Sequence, residues 1–222
     1  MKGDTSGHAY GTMLFRTLDA VLGSATKVRI LRALITLGSP VSGNEARLLA
    51  GVQSKSGMQS ALNDLTELGL LEREQTRRIQ LFRINREHDL VEPLRVLFDA
   101  ESRRLARLRE ALEEILRGGA VREHTLSIIV FGSNARGDAH PGSDLDLLLI
   151  TEAASQVERV LEVLIDAIPT VRHRFGMRLS PLVLEKARVQ ERYRQGDPLM
   201  ENVLSDGRTL YGTHFHEMVD AW

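Results

Sequence analysis

From Ser24 onward, apolar residues recur at helical spacing. Val28, Leu31, Leu34 and Ile35 fall on one face of SATKVRILRALITLG, with Ser24 as its N-cap and Gly38 and Pro40 as its stop. Ser42 caps a second, shorter helix through Glu45, Leu48 and Leu49. A third helix is predicted from Ser54 to Leu68, turning Met58, Ala61, Leu62 and Leu65 inward and ending at Gly69. The period then changes. LLERE and IQLFRIN read as two strands joined by QTRR, so three helices are followed by a hairpin. Residues 1–12 read as a disordered tail, and Met13 to Gly23 as a short helix or extended arm.

The pattern lengthens next. Val91, Leu94, Phe98, Glu101, Leu105, Leu108, Leu112 and Ile115 keep a 3-4 alternation across more than three heptads. At 1.5 Å per residue such a helix reaches ~45 Å, more than a small domain needs for its own core. The expectation is a connector over 88–118 that pairs two chains through residues 91–115, ended by Gly118-Gly119.

Beyond the glycines, TLSIIVF and LDLLLI read as buried strands, and MRLSPLVL as a third. ASQVERVLEVLIDAI supplies a helix between the last two. Short helices at about Glu185–Arg194 and Pro198–Leu204 precede DGRTLYG. Alternating strands and helices predict a small α/β unit over 119–222.

Composition narrows the setting. With 42% hydrophobic and 27% charged residues, the chain of 222 has the balance of a globular protein. No apolar run nears the ~20 residues that span a bilayer, and the first residues do not read as a signal peptide. The absence of cysteine excludes disulfides and thiolate metal sites. A cytoplasmic protein without membrane contact is expected. Net charge is −1, distributed as +3 over residues 1–90, zero over 91–118 and −4 over 119–222. That asymmetry permits a nucleic-acid contact in the first part without requiring one.

The chemistry concentrates in FGSNARGDAHPGSDLDLLLI, residues 131–150. Gly132 lets the backbone turn tightly after a buried strand, and with the Ser133 hydroxyl it makes an anion-binding turn. Asp144 and Asp146 stand two apart on a strand, so their side chains share a face with Cα atoms ~6.6 Å apart. Two carboxylates at a strand's open end suit Mg²⁺, which takes oxygen ligands together with substrate phosphates. Ser133 lacks a histidine at triad spacing, which excludes a serine hydrolase. His214 and His216 read as a solvated tail rather than a metal site.

Gly132-Ser133, ten residues, then Asp144-Leu145-Asp146 resembles the signature of polymerase-beta-type nucleotidyltransferases. The Gly-Ser-x-Ala-Arg-Gly run is similar to the minimal bacterial branch of that superfamily. The resemblance spans residues 120–184. It implies that Gly132 and Ser133 bind the triphosphate of an NTP, that Asp144 and Asp146 bind metal and act in catalysis, and that Arg136 is structural or phosphate-directed. It also implies a toxin partner, as in antitoxins of that branch. One departure stands out: where the superfamily has a third carboxylate on the next strand, this chain has Ser180-Pro181. Nucleotide binding is then expected to outlast catalysis, which would leave a nucleotide-sensing regulator.

VQSKSGMQSALNDLTELGLLEREQTRRIQLFRIN resembles the recognition helix and wing of bacterial winged-helix repressors, over residues 24–87. The resemblance implies DNA contacts by Ser54, Lys55, Ser56 and Gln59 at the start of the third helix. Arg77 and Arg78 at the wing tip would meet phosphates or the minor groove. The expected fold is an α+β multidomain chain. It comprises an N-terminal tail and arm (1–23), a winged helix-turn-helix (24–87), a long connecting helix (88–118) and a C-terminal nucleotidyltransferase fold (119–222).

Overall fold

The computed structural model describes residues 17–140 and 142–222; the expectations for residues 1–16 lie outside them. The chain divides between Arg103 and Arg104 into two compact units.

The first unit runs α1 (Thr17–Leu22), α2 (Ala25–Leu37), β1 (Val41–Ser42), α3 (Gly43–Leu49) and α4 (Lys55–Glu67). It continues through β2 (Leu71–Gln75), β3 (Gln80–Ile84) and α5 (Val91–Ser102). Helix α2 ends where Gly38 turns left-handed at φ 70° and donates its N–H to Leu34 O. Ser24 has the extended backbone of an N-cap but makes no side-chain cap bond. Ser42 does: its hydroxyl accepts from Glu45 N, while the Glu45 carboxylate accepts from Ser42 N at 2.8 Å. That bond, with a second from the Ser42 hydroxyl, holds the Glu45 carboxyl below the usual carboxylate range. The hairpin is antiparallel, and β1 joins its far side to give the order β1-β3-β2. Leu31, Leu34, Met58, Leu62 and Leu65, which the periodicity turned inward, form the core with Ile30 and Phe82, while Val28 and Ile35 are partly buried against it.

The expected connector is different. A turn at Arg103 separates α5 from α6 (Arg104–Gly118). Val91, Leu94 and Phe98 are buried in the core of the first unit. Glu101, the polar member of the series, pairs with Arg32 of α2 through two bonds of 2.7 and 3.0 Å. Leu108 and Leu112 are buried in the second unit, and Ile115 packs there too. The apolar series expected to join two chains is thus covered within each unit, except for Leu105, which is 47% exposed. The uninterrupted helix expected over 88–118 is corrected to two helices, each serving its own core.

The second unit carries β4 (Thr125–Val130), α7 (Gly132–Arg136), β5 (Leu145–Thr151), α8 (Val157–Phe175), β6 (Leu179–Glu185), α9 (Lys186–Arg194), α10 (Pro198–Asp206), β7 (Arg208–Gly212) and α11 (Phe215–Asp220). The sheet order is β6-β5-β4-β7, with β5 and β6 parallel and the other pairs antiparallel. Alternation sorts the strands into two faces. Leu145, Leu147, Leu149, Leu179 and Val183 meet α6 and α8. Leu148, Ile150, Leu182 and Leu184 meet α9, α10 and α11. Each fully buried leucine contributes about 1.5–3 kcal/mol over leaving it in water.

Helix α8 continues past Ile168 through Pro169, because Val171 and Phe175 extend the buried face of Val160, Leu164 and Ala167. The carbonyl that Pro169 leaves without a helical donor belongs to Ile165, which is 50% exposed, where water can serve it. The short β1 and α7 went unread in the sequence, as did two elements near its end. DGRTLYG supplies the edge strand β7, and the terminal residues form α11, where Phe215 meets Trp222 edge-on.

Candidate functional site

The candidate site sits where β4 gives way to α7 and β5 begins. Phe131 N donates to Asp146 O at 3.1 Å, tying the turn to the strand that carries the aspartates. Gly132 then adopts φ +70°, a left-handed conformation that L side chains rarely take. A Cβ on it would lie 2.5 Å from Asp146 Oδ2. Glycine here therefore does two things: it permits the turn and it makes room for the carboxylate. Ser133 follows, and its carbonyl accepts from Gly137 N and Asp138 N at 3.0 and 3.1 Å, closing the short helix. Among the described residues the Ser133 hydroxyl makes no hydrogen bond, so it is available to a ligand.

Asp144 lies just before β5 and Asp146 within it, both half-buried. Asn134 Nδ2 donates to Asp144 O at 2.7 Å, so the residue after Gly-Ser fixes the backbone of the first aspartate. Sequence reasoning missed Asn134, although it stands inside the quoted motif. Arg136 is exposed, with Nε 3.2 Å from Asp138 Oδ2 on the loop that follows. Gly132 and Asp146 are thus brought together, with Ser133 beside the glycine and Asp144 held through Asn134.

The neighbouring strand supplies two further groups. In the parallel register Leu145 lies beside Leu179 and Asp146 beside Ser180. The serine thus occupies the lateral position expected of an acidic residue, whereas Pro181 pairs with Leu147, toward the opposite face. Glu185 pairs with Thr151, five residues along the strand from Asp146 and so ~16 Å away. It cannot replace the missing carboxylate. Arg178 Nε lies 3.2 Å from Asp144 Oδ1, placing a cation beside the first aspartate. Among the described residues no three His, Asp or Glu side chains gather into a metal site, His214 and His216 included. Mg²⁺ is commonly held by one or two carboxylates with phosphates and water completing the shell. Asp144 and Asp146 fit that donor set.

In the first unit, Ser54, Lys55, Ser56 and Gln59 are exposed at the start of α4. The Ser54 hydroxyl is engaged as N-cap, accepting from Gly57 N at 3.0 Å, and lies 3.2 Å from the Ser56 hydroxyl. Lys55 and Gln59 line an open cleft of about 300 Å³ with Gly43, Asn44, Arg47 and Met58. Arg77 and Arg78 are exposed at the hairpin tip, where Thr76 and Ile79 close the turn.

Residues 105–173 match the family model described as the nucleotidyltransferase domain. The match includes the Gly-Ser turn and both aspartates but stops before β6. A protein of Methanocaldococcus jannaschii bearing the name of a protein adenylyltransferase is 33% identical over 88 residues, which is 39% of this chain and 58% of that protein. The chain thus spans somewhat over half the length of this curated relative. Among solved structures, a toxin-antitoxin crystallised with AMP-PNP aligns at a TM-score of 0.33 with 14% identity, over 51% of this chain and 82% of that one. A mutant of the toxin-antitoxin MntA-HpeT aligns at 0.33 with 13% identity, over the same shares. No helix among the described residues is long and apolar enough to cross a membrane.

Proposed function

We propose that the second unit binds a nucleoside triphosphate with a divalent cation and transfers its nucleotidyl group to a hydroxyl. The observation that carries this reading is the approach of Asp146 to Gly132, which sets a carboxylate against the turn suited to phosphates. The match of residues 105–173 to the nucleotidyltransferase domain supports it. The backbone and hydroxyl of Gly132-Ser133 would seat the phosphates, and Asp144 and Asp146 would hold Mg²⁺. When bound, the cation supplies the positive charge that lets two carboxylates and a triphosphate share one site. In the transfer, the acceptor oxygen bonds to the α-phosphorus, the bond to the bridging oxygen breaks, and pyrophosphate leaves. The acceptor proton passes to solvent, because Ser180 offers no carboxylate base beside Asp146. Slow turnover follows from that substitution. Given the name of the archaeal relative, a protein hydroxyl is the first acceptor to examine.

The first unit is read as a winged helix that contacts DNA through α4 and the β2–β3 hairpin. Its support is the β1-β3-β2 sheet behind α2, α3 and α4, with Lys55, Arg77 and Arg78 exposed. Joined to a slow transferase site, such a unit also suits a regulator that senses nucleotide without turnover, the reading that Ser180 favours.

The test is incubation with α-³²P-labelled NTPs, Mg²⁺ and cell extract. Wild type should place label covalently on an acceptor, and Asp146→Asn should not. Label that persists in Asp146→Asn would refute the site; tight NTP binding with no label on any acceptor would refute transfer and leave the sensor.

A further inference from the structure

We propose that Arg178 is a positioning and specificity residue of this site, guarding Asp144 in the free protein and moving its charge to the triphosphate when nucleotide and cation arrive together. The proposal rests on the nucleotide-binding reading above and adds to it a rule about what the site accepts.

Three observations carry it. The first is register. Leu145 lies beside Leu179 and Asp146 beside Ser180, so one residue earlier Asp144 falls beside Arg178. Strand alternation puts Arg178 and Ser180 on the same side as the aspartates. The lateral strand therefore offers a hydroxyl and a guanidinium where a third carboxylate would have made the site more negative.

The second is anchorage. Leu145 N donates to Arg178 O at 2.8 Å, fixing the arginine backbone to the strand start. The third is freedom of the side chain. It is 64% exposed and pairs with Asp144 through Nε at 3.2 Å. A guanidinium has five N–H donors in a fork that matches phosphate oxygens, so most of its capacity is available to a ligand.

The charge follows directly. Two carboxylates and one arginine leave this cluster at −1, against −2 were Ser180 a third carboxylate. A bare divalent cation meets both a weaker attraction and a repelling neighbour. A cation carrying a triphosphate brings the anion that draws the arginine off Asp144. The site then discriminates between free cation and the nucleotide–cation pair, using a partner exchange at Asp144.

Calorimetry on the full chain tests this with two probes: Mn²⁺ alone, and ATP in saturating Mg²⁺. Arg178→Ala should bind Mn²⁺ alone roughly threefold to tenfold more tightly, because the competing charge is gone. The same variant should bind ATP about tenfold more weakly, since a charge-assisted contact to phosphate is lost. Arg178→Lys, which keeps the charge but not the fork, should recover most of the Mn²⁺ effect and only part of the ATP affinity. Trp222 fluorescence, from the second unit's own tryptophan, verifies folding of each variant. If wild type binds ATP with Mg²⁺ and Arg178→Ala leaves both affinities unchanged, the proposal is overturned while the nucleotide site stands. Loss of Mn²⁺ affinity in Arg178→Ala overturns it as well, since the arginine would then merely order Asp144. If wild type takes no ATP, the parent reading falls and the proposal with it.

Discussion

Replacing Gly132 with alanine should destabilise the second unit by an amount that depends on whether Asp146 keeps its carboxylate. Two costs combine at Gly132. A left-handed φ of +70° costs an L residue about 1–2 kcal/mol. The new methyl would also lie 2.5 Å from Asp146 Oδ2, and relieving that overlap pushes the aspartate off its rotamer at ~1 kcal/mol. The sum is about 2–3 kcal/mol. Gly137 is the control: its φ is +83° but nothing lies within 4 Å of an added Cβ, so Gly137→Ala should cost the backbone share alone. In an Asp146→Ala background the nearest remaining atom to the methyl is the Asp146 Cβ position at 3.6 Å, an ordinary contact. Gly132→Ala should then cost no more than Gly137→Ala, and the cycle should show a coupling of ~1 kcal/mol. Urea unfolding followed by Trp222 fluorescence reports on this unit, because Trp222 packs against Tyr193 and Phe215 within it. A coupling no larger than the ~0.3–0.5 kcal/mol scatter of independent sites would show that the carboxylate does not lie against the turn.

Three other outcomes follow from particular residues. Asp197 caps α10, and chiefly its hydrogen bond from Arg192 holds its carboxyl below the ordinary value of 3.8. A depressed carboxyl contributes stability above that value and loses it as pH falls through the lowered one. Asp197→Asn should flatten the acid limb of Trp222-monitored stability there, and an unchanged limb would refute the linkage. Ser180→Asp should tighten Mn²⁺ binding measured by calorimetry, whereas Pro181→Asp, beside Leu147 and toward the opposite face, should mainly destabilise the unit; equal Mn²⁺ affinities in the two would contradict the register. Lys55→Ala should weaken duplex DNA binding and reduce the slope of log affinity against log salt by about one, as one phosphate contact is lost. Enrichment of no sequence from a random duplex pool would instead make the first unit a protein-contact module.

Much of the fold was legible because the apolar positions determine which face of an element is covered. The helices around Leu31 and Leu62, the hairpin and strands β4, β5 and β6 follow from spacing alone. What covers a face is a different matter. The 3-4 series from Val91 to Ile115 looked continuous, yet its first half belongs to one core and its second half to another, with the division at Arg103. Periodicity cannot register such a change of partner, since both cores demand the same spacing. Strand β7 was missed for the opposite reason: Leu210 is the only buried residue among its five, too few for alternation to show.

The candidate site divides in the same way. Glycine at 132 and paired aspartates two apart are local chemistry, readable from residue types. Arg178 became visible only through the β5–β6 register, which sequence spacing across a 19-residue helix does not specify. Arg136, which motif resemblance gives a structural or phosphate-directed role, pairs with Asp138 two residues away. That local partner was available in the sequence from the start.

The most direct measurement is calorimetric titration of ATP into the full chain, with Mg²⁺ and again with EDTA, for wild type and Asp146→Asn. If Asp144 and Asp146 hold a cation against a triphosphate seated on Gly132 and Ser133, wild type should bind ATP with Mg²⁺ and lose it in EDTA, where two carboxylates repel the phosphates. Asp146→Asn should fail to bind with Mg²⁺ while unfolding at a urea concentration close to that of wild type. Equal affinity of wild type in Mg²⁺ and in EDTA would contradict the assignment of these two aspartates as a metal-bearing nucleotide site.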